Sequence, residues 1–238
     1  MRAAGSVLLT TTMSLQTPHR SALVAGGTGR VGRAITSRLR ADGWQVVAAG
    51  RADGDLRTRD GARALVARAL ERLGALDLVV HAAGDGFVSK PVSDVTEEDW
   101  DAALDVTAKG TFFLAQSAAP ALTESRGVLI VLEDVASFQA WTSFAPHSAA
   151  KAAQAMLTRV LAKSLAPHVR VCGIAPGPVA VEHGQEERRA AETLLGRIGS
   201  PEDVADAVAY LAGASFVTGT TLVVDGGRLL KTGARRDP

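Results

Sequence analysis

Hydrophobic positions in this chain fall in short continuous runs, separated by stretches of helical periodicity. SALVAG (21–26) is almost wholly apolar and stops at glycine. RVGRAITSRLRADG (30–43) follows with apolar residues three and four apart and a glycine stop, the pattern of an amphipathic helix. WQVVAAG (44–50) is a second run. In DGARALVARALERLG (60–74), Leu65, Ala69 and Leu73 share one helical face. LDLVVHAAG (76–84), GVLIVLED (127–134), VRVCGIAPG (169–177) and TTLVVDGG (220–227) are further runs. Residues 96–122 predict one long helix, with Glu97 and Glu98 in the first turn where the macrodipole favours acids. Residues 145–166 predict another. SPEDVADAVAYLA (200–212) opens with a Ser N-cap and Pro at the first helical position.

Runs that are continuous, not alternating, mark strands covered on both faces. Strand and helix alternate along the chain, so right-handed crossovers build a parallel sheet. The predicted architecture is α/β: a Rossmann-type doubly wound parallel sheet in three αβα layers. Ligands then bind at the carboxyl ends of the strands. There is no internal repeat and no linker rich in Pro, Gly or Ser, which predicts one domain over residues 20–230. Residues 1–19 read as a disordered leader, with Met13 as an alternative start, and residues 231–238 as a flexible tail.

Composition narrows the classes. With 47% hydrophobic and 21% charged residues in 238, the chain is globular and long enough for a sizeable core. The formal net charge is +1 and the basic residues are spread out, which favours neither nucleic acid nor a membrane surface. No apolar run approaches the ~20 residues of a membrane helix. The lone Cys172 cannot form an intrachain disulfide, which fits a reducing, cytoplasmic setting, and in its apolar run it reads as a small buried hydrophobe. No His or Cys grouping has metal-ligand spacing.

Candidate chemistry starts at GGTGRVG (26–32), between the first strand and first helix. Gly27, Gly29 and Gly32 form G-x-G-x-x-G, which lets the backbone approach a pyrophosphate seated on the helix N-terminus. Sites for NAD usually carry an acid at the end of the second strand. Here that strand ends Ala49, Gly50, Arg51, and an arginine suits a 2′-phosphate, pointing to NADPH (NADP+). A solvated loop arginine is the plainer alternative. In APHSAAKAAQA (145–155), His147 and Lys151 stand four apart, on one helical face.

With these pieces in order, residues 20–230 resemble the short-chain dehydrogenase/reductase family. The glycine loop stands where the family has T-G-x-x-x-G-x-G. Asp55-Leu56 looks like its Asp–aliphatic pair beside the adenine, HAAG (81–84) like N-N-A-G, and Pro176-Gly177 like the turn that meets the nicotinamide. GRIGSPEDVADAVAYLA and FVTGTTLVVDGG are close to its C-terminal signature. The resemblance implies cofactor contacts at Gly26, Thr28, Gly29, Arg30, Val31, Gly32, Arg51, Asp55, Leu56, Ala82, Ala83, Gly84, Lys151, Pro176 and Gly177. It implies a substrate near Asp85, Phe87 and Pro178, although Phe87 could equally be a packing residue. It also implies a homo-oligomer, a tetramer or dimer, paired through helices 96–122 and 145–166.

The departures shape the functional reading. Three residues separate Arg51 from Asp55, where the family places a helix and its third strand, so one edge of the sheet should be short. Arg30 replaces the second glycine of the loop. That feature and the ending DGGRLL are similar to pteridine reductases, in which such an arginine faces cofactor phosphates and substrate. The family's catalytic tetrad is Asn, Ser, Tyr and Lys. Here Thr107 takes the Asn position, Asp134 the Ser position and His147 the Tyr position, and only Lys151 is kept. The 13-residue separation of Asp134 and His147 equals the usual Ser-to-Tyr spacing, and pteridine reductases also use an aspartate there. The one tyrosine, Tyr210, lies on a late helix.

Hydride transfer to a carbonyl or imine needs a proton donor beside the developing charge, and histidine can serve. Three readings stay open. One is an NADPH-dependent reductase of a small substrate, a planar bicyclic compound or a polyketide-like carbonyl compound, with His147 as acid. Another is a redox-neutral cyclase, isomerase or lyase that uses His147 and Asp134 as acid and base. The third is a non-catalytic NADP-binding sensor.

Overall fold

The computed structural model describes residues 20–84, 87–179, 181 and 183–231. The expected leader (1–19) lies outside them, as does the expected tail except Lys231. Six strands form one parallel sheet: β1 (Ser21–Ala25), β2 (Gln45–Ala49), β3 (Leu78–His81), β4 (Val128–Leu132), β5 (Arg170–Pro176) and β6 (Thr221–Val224). Their order is β2-β1-β3-β4-β5-β6. The chain runs outward from β1 to β2, returns to β3 on the other side of β1, and continues to β6. The switch point lies between β1 and β3, where a doubly wound sheet opens its ligand crevice.

The central strands are buried on both faces because alternate residues feed two separate cores. Leu23 and Ala25 point to one side, with Leu65 and Val66 of α2 (Arg59–Leu73), Leu114 and Leu122 of α4 (Gly110–Ser125) and Leu161 of α5 (Ala145–Leu165). Ala22 and Val24 point to the other, with Ile35 and Leu39 of α1 (Arg30–Ala41) and Val204, Val208 and Leu211 of α7 (Pro201–Gly213). Cys172 belongs to this second core and is fully buried. The remaining helices are α3 (Glu97–Leu104) and a short α6 (Glu186–Ala190).

Helix starts follow their local signals. Ser200 caps α7 and exchanges hydrogen bonds with Asp203, and Pro201 occupies the first turn. Thr96 and Asp99 form the same reciprocal cap on α3. The long helix expected over 96–122 is present as α3 and α4, continuous in helical backbone through a π-helical turn at Asp105–Lys109 that the periodicity did not predict. Within it the Thr107 carbonyl takes the Thr111 hydroxyl at 2.7 Å, so a side chain supplies a donor where the regular ladder is interrupted.

The short edge is also explained. After β2 the chain makes a 3-10 turn (Arg51–Asp53) and reaches α2 within five residues, so β2 pairs only with β1 and is the sheet edge. The α2 backbone presses on this stub: a Cβ on Gly61 would lie 2.1 Å from the Asp55 carbonyl oxygen.

Candidate active site

The crevice at the switch point is a cavity of about 230 Å³. Gly26, Thr28 and Gly29 line it from the β1–α1 turn, Arg51, Asp55 and Leu56 from the stub after β2, and Ala82, Ala83 and Gly84 from the segment after β3. Val106 of the π turn closes it. Arg30 and Val31 open α1 beside this cavity, and Gly32 is buried beneath them. Tight packing explains the glycines. Gly26 has φ +86°, and a Cβ there would lie 2.5 Å from the Ala82 carbonyl carbon. A Cβ on Gly32 would lie 2.1 Å from the Gly26 carbonyl oxygen. The result is a cradle of bare backbone at the N-terminus of a twelve-residue helix, which fits a pyrophosphate.

Charges at the cradle's outer wall are largely compensated. The Arg57 guanidinium grips Asp55 with Nε at 3.0 Å and Nη2 at 2.6 Å, and holds its carboxyl down at about 2. Arg51 adds a smaller pull in the same direction. Asp53 accepts the Gly50 N–H at 2.9 Å and pairs with Arg68 at 3.1 Å. Asp53 and Asp55 thus each pair with an arginine, Arg68 and Arg57.

The second half of the site gathers around the start of α5. Asp134 follows β4 and turns one carboxylate oxygen, Oδ1, to the Ala136 N–H at 2.7 Å. Its Oδ2 lies 3.6 Å from Nε2 of His147, in the first turn of α5. That nitrogen is buried and has no hydrogen-bond partner among the described residues. One turn on, Lys151 is buried with Nζ donating to the Leu132 carbonyl at 2.7 Å and to Gln154 Oε1 at 2.9 Å. Burial lowers its pKa to about 8, against the pull of Asp134 and Glu133. Thr107 is buried in the π turn and reaches the lysine only indirectly, through Thr111 and Gln154.

Rings surround the imidazole. Phe87 stacks on Phe144 at 4.6 Å and meets His147 edge-on at 4.8 Å. Trp141 lies parallel to His147 at 6.3 Å. The Arg228 guanidinium sits 4.8 Å over Trp141 and pairs with Glu192 at 3.0 Å, joining three separate segments. Phe87 thus both packs and remains 56% exposed. Pro176 ends β5, and Gly177 donates its N–H to Val224 at 2.9 Å. Pro178 lines a second cavity of about 450 Å³ with Leu194, Leu195 and Val223, in which neither Phe87 nor His147 takes part. Asp85 lies outside the described residues. Tyr210 is on α7 and 61% exposed.

Several residues of this site escape sequence reasoning. Trp141 and Phe144 carry no motif, and Arg228 lies in the ending DGGRLL, which by itself gave that arginine no place in the site. Gln154 had a signal, since it is a polar side chain at i+3 from Lys151 in an alanine-rich helix. His81 pairs through Nδ1 with Gln154 and is fully buried, and burial pushes its pKa down to about 3.

A parallel αβα sheet with a glycine cradle at its switch point defines a Rossmann-type nucleotide fold. Residues 41–228 match the family model described as Enoyl-(Acyl carrier protein) reductase. The 3beta-hydroxysteroid dehydrogenase 1 of Eggerthella lenta is 34% identical, over 90% of this chain and 95% of its own. A solved short-chain dehydrogenase/reductase (glucose/ribitol dehydrogenase) from Brucella melitensis is 30% identical, with a TM-score of 0.80 over 88% of this chain and 96% of its own. The 3-ketoacyl-(acyl-carrier-protein) reductase of the same organism, solved with NADH, shares the fold at 24% identity and a TM-score of 0.83, over 88% of this chain and 98% of its own. The chain belongs to the short-chain dehydrogenase/reductase family. It is an oxidoreductase of that type, a family that binds a nicotinamide cofactor.

Proposed function

We propose that this protein is an NADPH-dependent reductase of a small carbonyl or imine, with His147 in the role the family gives to tyrosine. The observation that carries the reading is the His147 Nε2 atom. It is buried, unpartnered among the described residues, and 3.6 Å from Asp134, on a residue one helical turn before Lys151. A buried donor without a partner costs about 1–3 kcal/mol unless something else uses it. A substrate oxygen or nitrogen would use it.

The hydride is the part that a bound nicotinamide cofactor supplies. The cradle from Gly26 to Gly32, with Thr28, Arg30 and Val31, holds the diphosphate. Leu56 and Asp55 flank the adenine, and Ala82 to Gly84 line the inner wall. Arg51 faces the 2′-phosphate, and the pairing of Asp53 and Asp55 with Arg68 and Arg57 relieves the repulsion those acids would otherwise exert. Pro176 and Gly177 border the nicotinamide, and Lys151 fixes its ribose. Asp134 orients the imidazole, and His147 passes a proton to the substrate atom that gains negative charge. The spent imidazole is reprotonated from solvent. Phe87 and Phe144, stacked on each other, and Trp141, edge-on to both, form an apolar wall that suits a planar bicyclic substrate, and Arg30 with Asp134 supports a place in the pteridine-reductase-like subgroup. The family resemblance assigns Pro178 and Asp85 to the substrate as well. The setting is cytoplasmic and the protein acts as a homo-oligomer.

The redox-neutral reading is favoured by one feature: Asp134 and His147 can donate and withdraw a proton without hydride. The test combines binding with turnover. NADPH is expected to quench protein fluorescence at lower concentration than NADH, and failure of both to bind sinks the cofactor assignment. On a panel of pterin-like, polyketide-like and simple carbonyl or imine compounds, wild type is expected to consume NADPH at 340 nm. His147→Ala should lose about 100-fold or more in kcat, the typical contribution of a positioned acid. An unchanged kcat removes His147 as the acid. Turnover without any change at 340 nm moves the protein to the redox-neutral class, and cofactor binding with no turnover to the sensor class.

A further inference from the structure

Beneath Lys151 lies a polar network that the proposed chemistry leaves unused. Gln154 is on the same face of α5, three residues on, and fully buried. An ammonium can only donate, so the amide atom 2.9 Å from Lys151 Nζ is the oxygen. That fixes the rest of the amide. Its nitrogen faces away and donates to Thr111 Oγ1 at 2.9 Å and to His81 Nδ1 at 3.1 Å. The Thr111 hydroxyl spends its own proton on the Thr107 carbonyl at 2.7 Å. His81 therefore accepts at Nδ1 and carries its proton on Nε2, and burial keeps the ring neutral. Every group in the chain has one orientation, and four elements contribute: β3, the π turn, α4 and α5.

We infer that Gln154 is a positioning residue, which fixes the Lys151 ammonium at the floor of the site and is itself oriented by His81 and Thr111. The inference rests on the reading of Lys151 as the cation on the cofactor side. Two of the three ammonium donors are spent, on Leu132 and Gln154, which leaves one for the ribose. A side-chain amide holds hydrogen bonds but does not pass protons along as water does. Lys151 is then a fixed charge and not a proton exit, and proton traffic falls to His147 and Asp134.

The charged groups around the lysine are few. Glu133 and Asp134 stand at the end of β4, His147 one turn earlier on α5, and neutral His81 at the end of β3. Burial raises the Glu133 carboxyl, which accepts hydroxyls from Thr158 at 2.6 Å and Thr221 at 2.8 Å and feels Arg159. From the π turn and α4 the network receives Thr107 and Thr111, whereas Asp105 and Lys109 pair with each other at the surface.

The test reads Lys151 directly. The chain has five lysines, so protein labelled with 13C at lysine Cε gives five signals, and Lys151→Arg assigns the one that matters. In wild type without cofactor that signal should titrate near pH 8. Gln154→Glu keeps the acceptor and adds a negative charge, so the midpoint should rise by about one pH unit or more. Gln154→Leu removes the acceptor, so the midpoint should fall, and NADPH should bind at pH 7 about 10- to 150-fold more weakly, the worth of a hydrogen bond to a charged group. The Glu variant should restore binding to within about threefold by the same charge-assisted contact. A purely structural role lowers thermal stability and leaves the midpoint in place, and identical midpoints in all three proteins overturn the inference. If wild type binds no NADPH while the midpoints move as stated, the cofactor reading fails and the positioning role stands. If Gln154→Leu does not fold, the Glu variant decides alone: an unmoved midpoint there rejects the role.

Discussion

At the residue scale, the site depends on two histidines with opposite surroundings. His147 sits under aromatic rings with Asp134 at 3.6 Å, while His81 is sealed in the core with one nitrogen accepting from Gln154. Burial lowers the His81 pKa from 6.5 to about 3, with Lys151 adding to the shift. The folded state therefore refuses a proton that the unfolded chain accepts below pH 6.5. Stability from this group is fully present above pH 6.5 and is lost as pH falls toward 3, at up to ~1.4 kcal/mol per pH unit. Glu133 works in the opposite sense, because its raised carboxyl favours the folded state in acid. Comparing variants isolates the histidine. In urea melts between pH 7.5 and 4.5, His81→Asn, which still offers Gln154 an acceptor, is expected to lose stability less steeply than wild type. Equal slopes would show that His81 does not carry the acid sensitivity.

Residues of this kind differ in how visible they are in sequence. The spacing of His147 and Lys151 is readable because a helix turns local spacing into proximity. The wall of Phe87, Trp141 and Phe144 is not, because it joins the segment after β3 to the one after β4. Arg228 reaches Trp141 from 87 positions away in sequence.

At the element scale, the β1–α1 turn is the tightest unit. The Gly26 carbonyl lies where a Gly32 side chain would begin, so Gly32→Ala has to push α1 off the turn. Overpacking of this kind costs about 1–3 kcal/mol. The larger effect is expected on function: NADPH affinity by fluorescence titration should fall by roughly tenfold or more, as the helix N-terminus leaves the diphosphate. An affinity within twofold of wild type would mean that the cradle tolerates the shift. The π turn shows where pattern reading stops. Residues 96–122 keep helical periodicity throughout, and one widened turn shifts the phase too little to break it. The turn nevertheless aims Val106 at the nucleotide cavity and Thr107 at the network beneath Lys151.

At the scale of the whole molecule, the sheet ends at β2 because the stub after it is too short to add a strand. The opposite layer leaves apolar side chains outside: Trp100 on α3, Phe112 on α4, and Met156 and Val160 on α5. A charge placed among them should oppose self-association. Met156→Glu is expected to lower the mass seen by light scattering to that of the 24.6 kDa monomer, with the fold intact by circular dichroism. A wild type that is already monomeric would remove the oligomer from the proposal.

Sequence alone determined the alternation of strand and helix, the parallel sheet, the glycine cradle, the loss of the edge unit and the His147–Lys151 pair. The loss of the edge unit is what the family resemblance implies, and the others rest on contacts between near neighbours, or on runs whose burial is written in their composition. Tertiary structure decided which atoms meet. It placed His147 Nε2 beside Asp134, gave Asp55 to Arg57, turned Lys151 toward Leu132 and Gln154, and set His81 beneath them. The contacts of His147 with Asp134, Lys151 with Leu132 and Gln154 with His81 depend on how layers pack and on which buried donor finds which acceptor, and no local spacing encodes them, whereas Arg57 and Gln154 lie two and three residues from their partners Asp55 and Lys151.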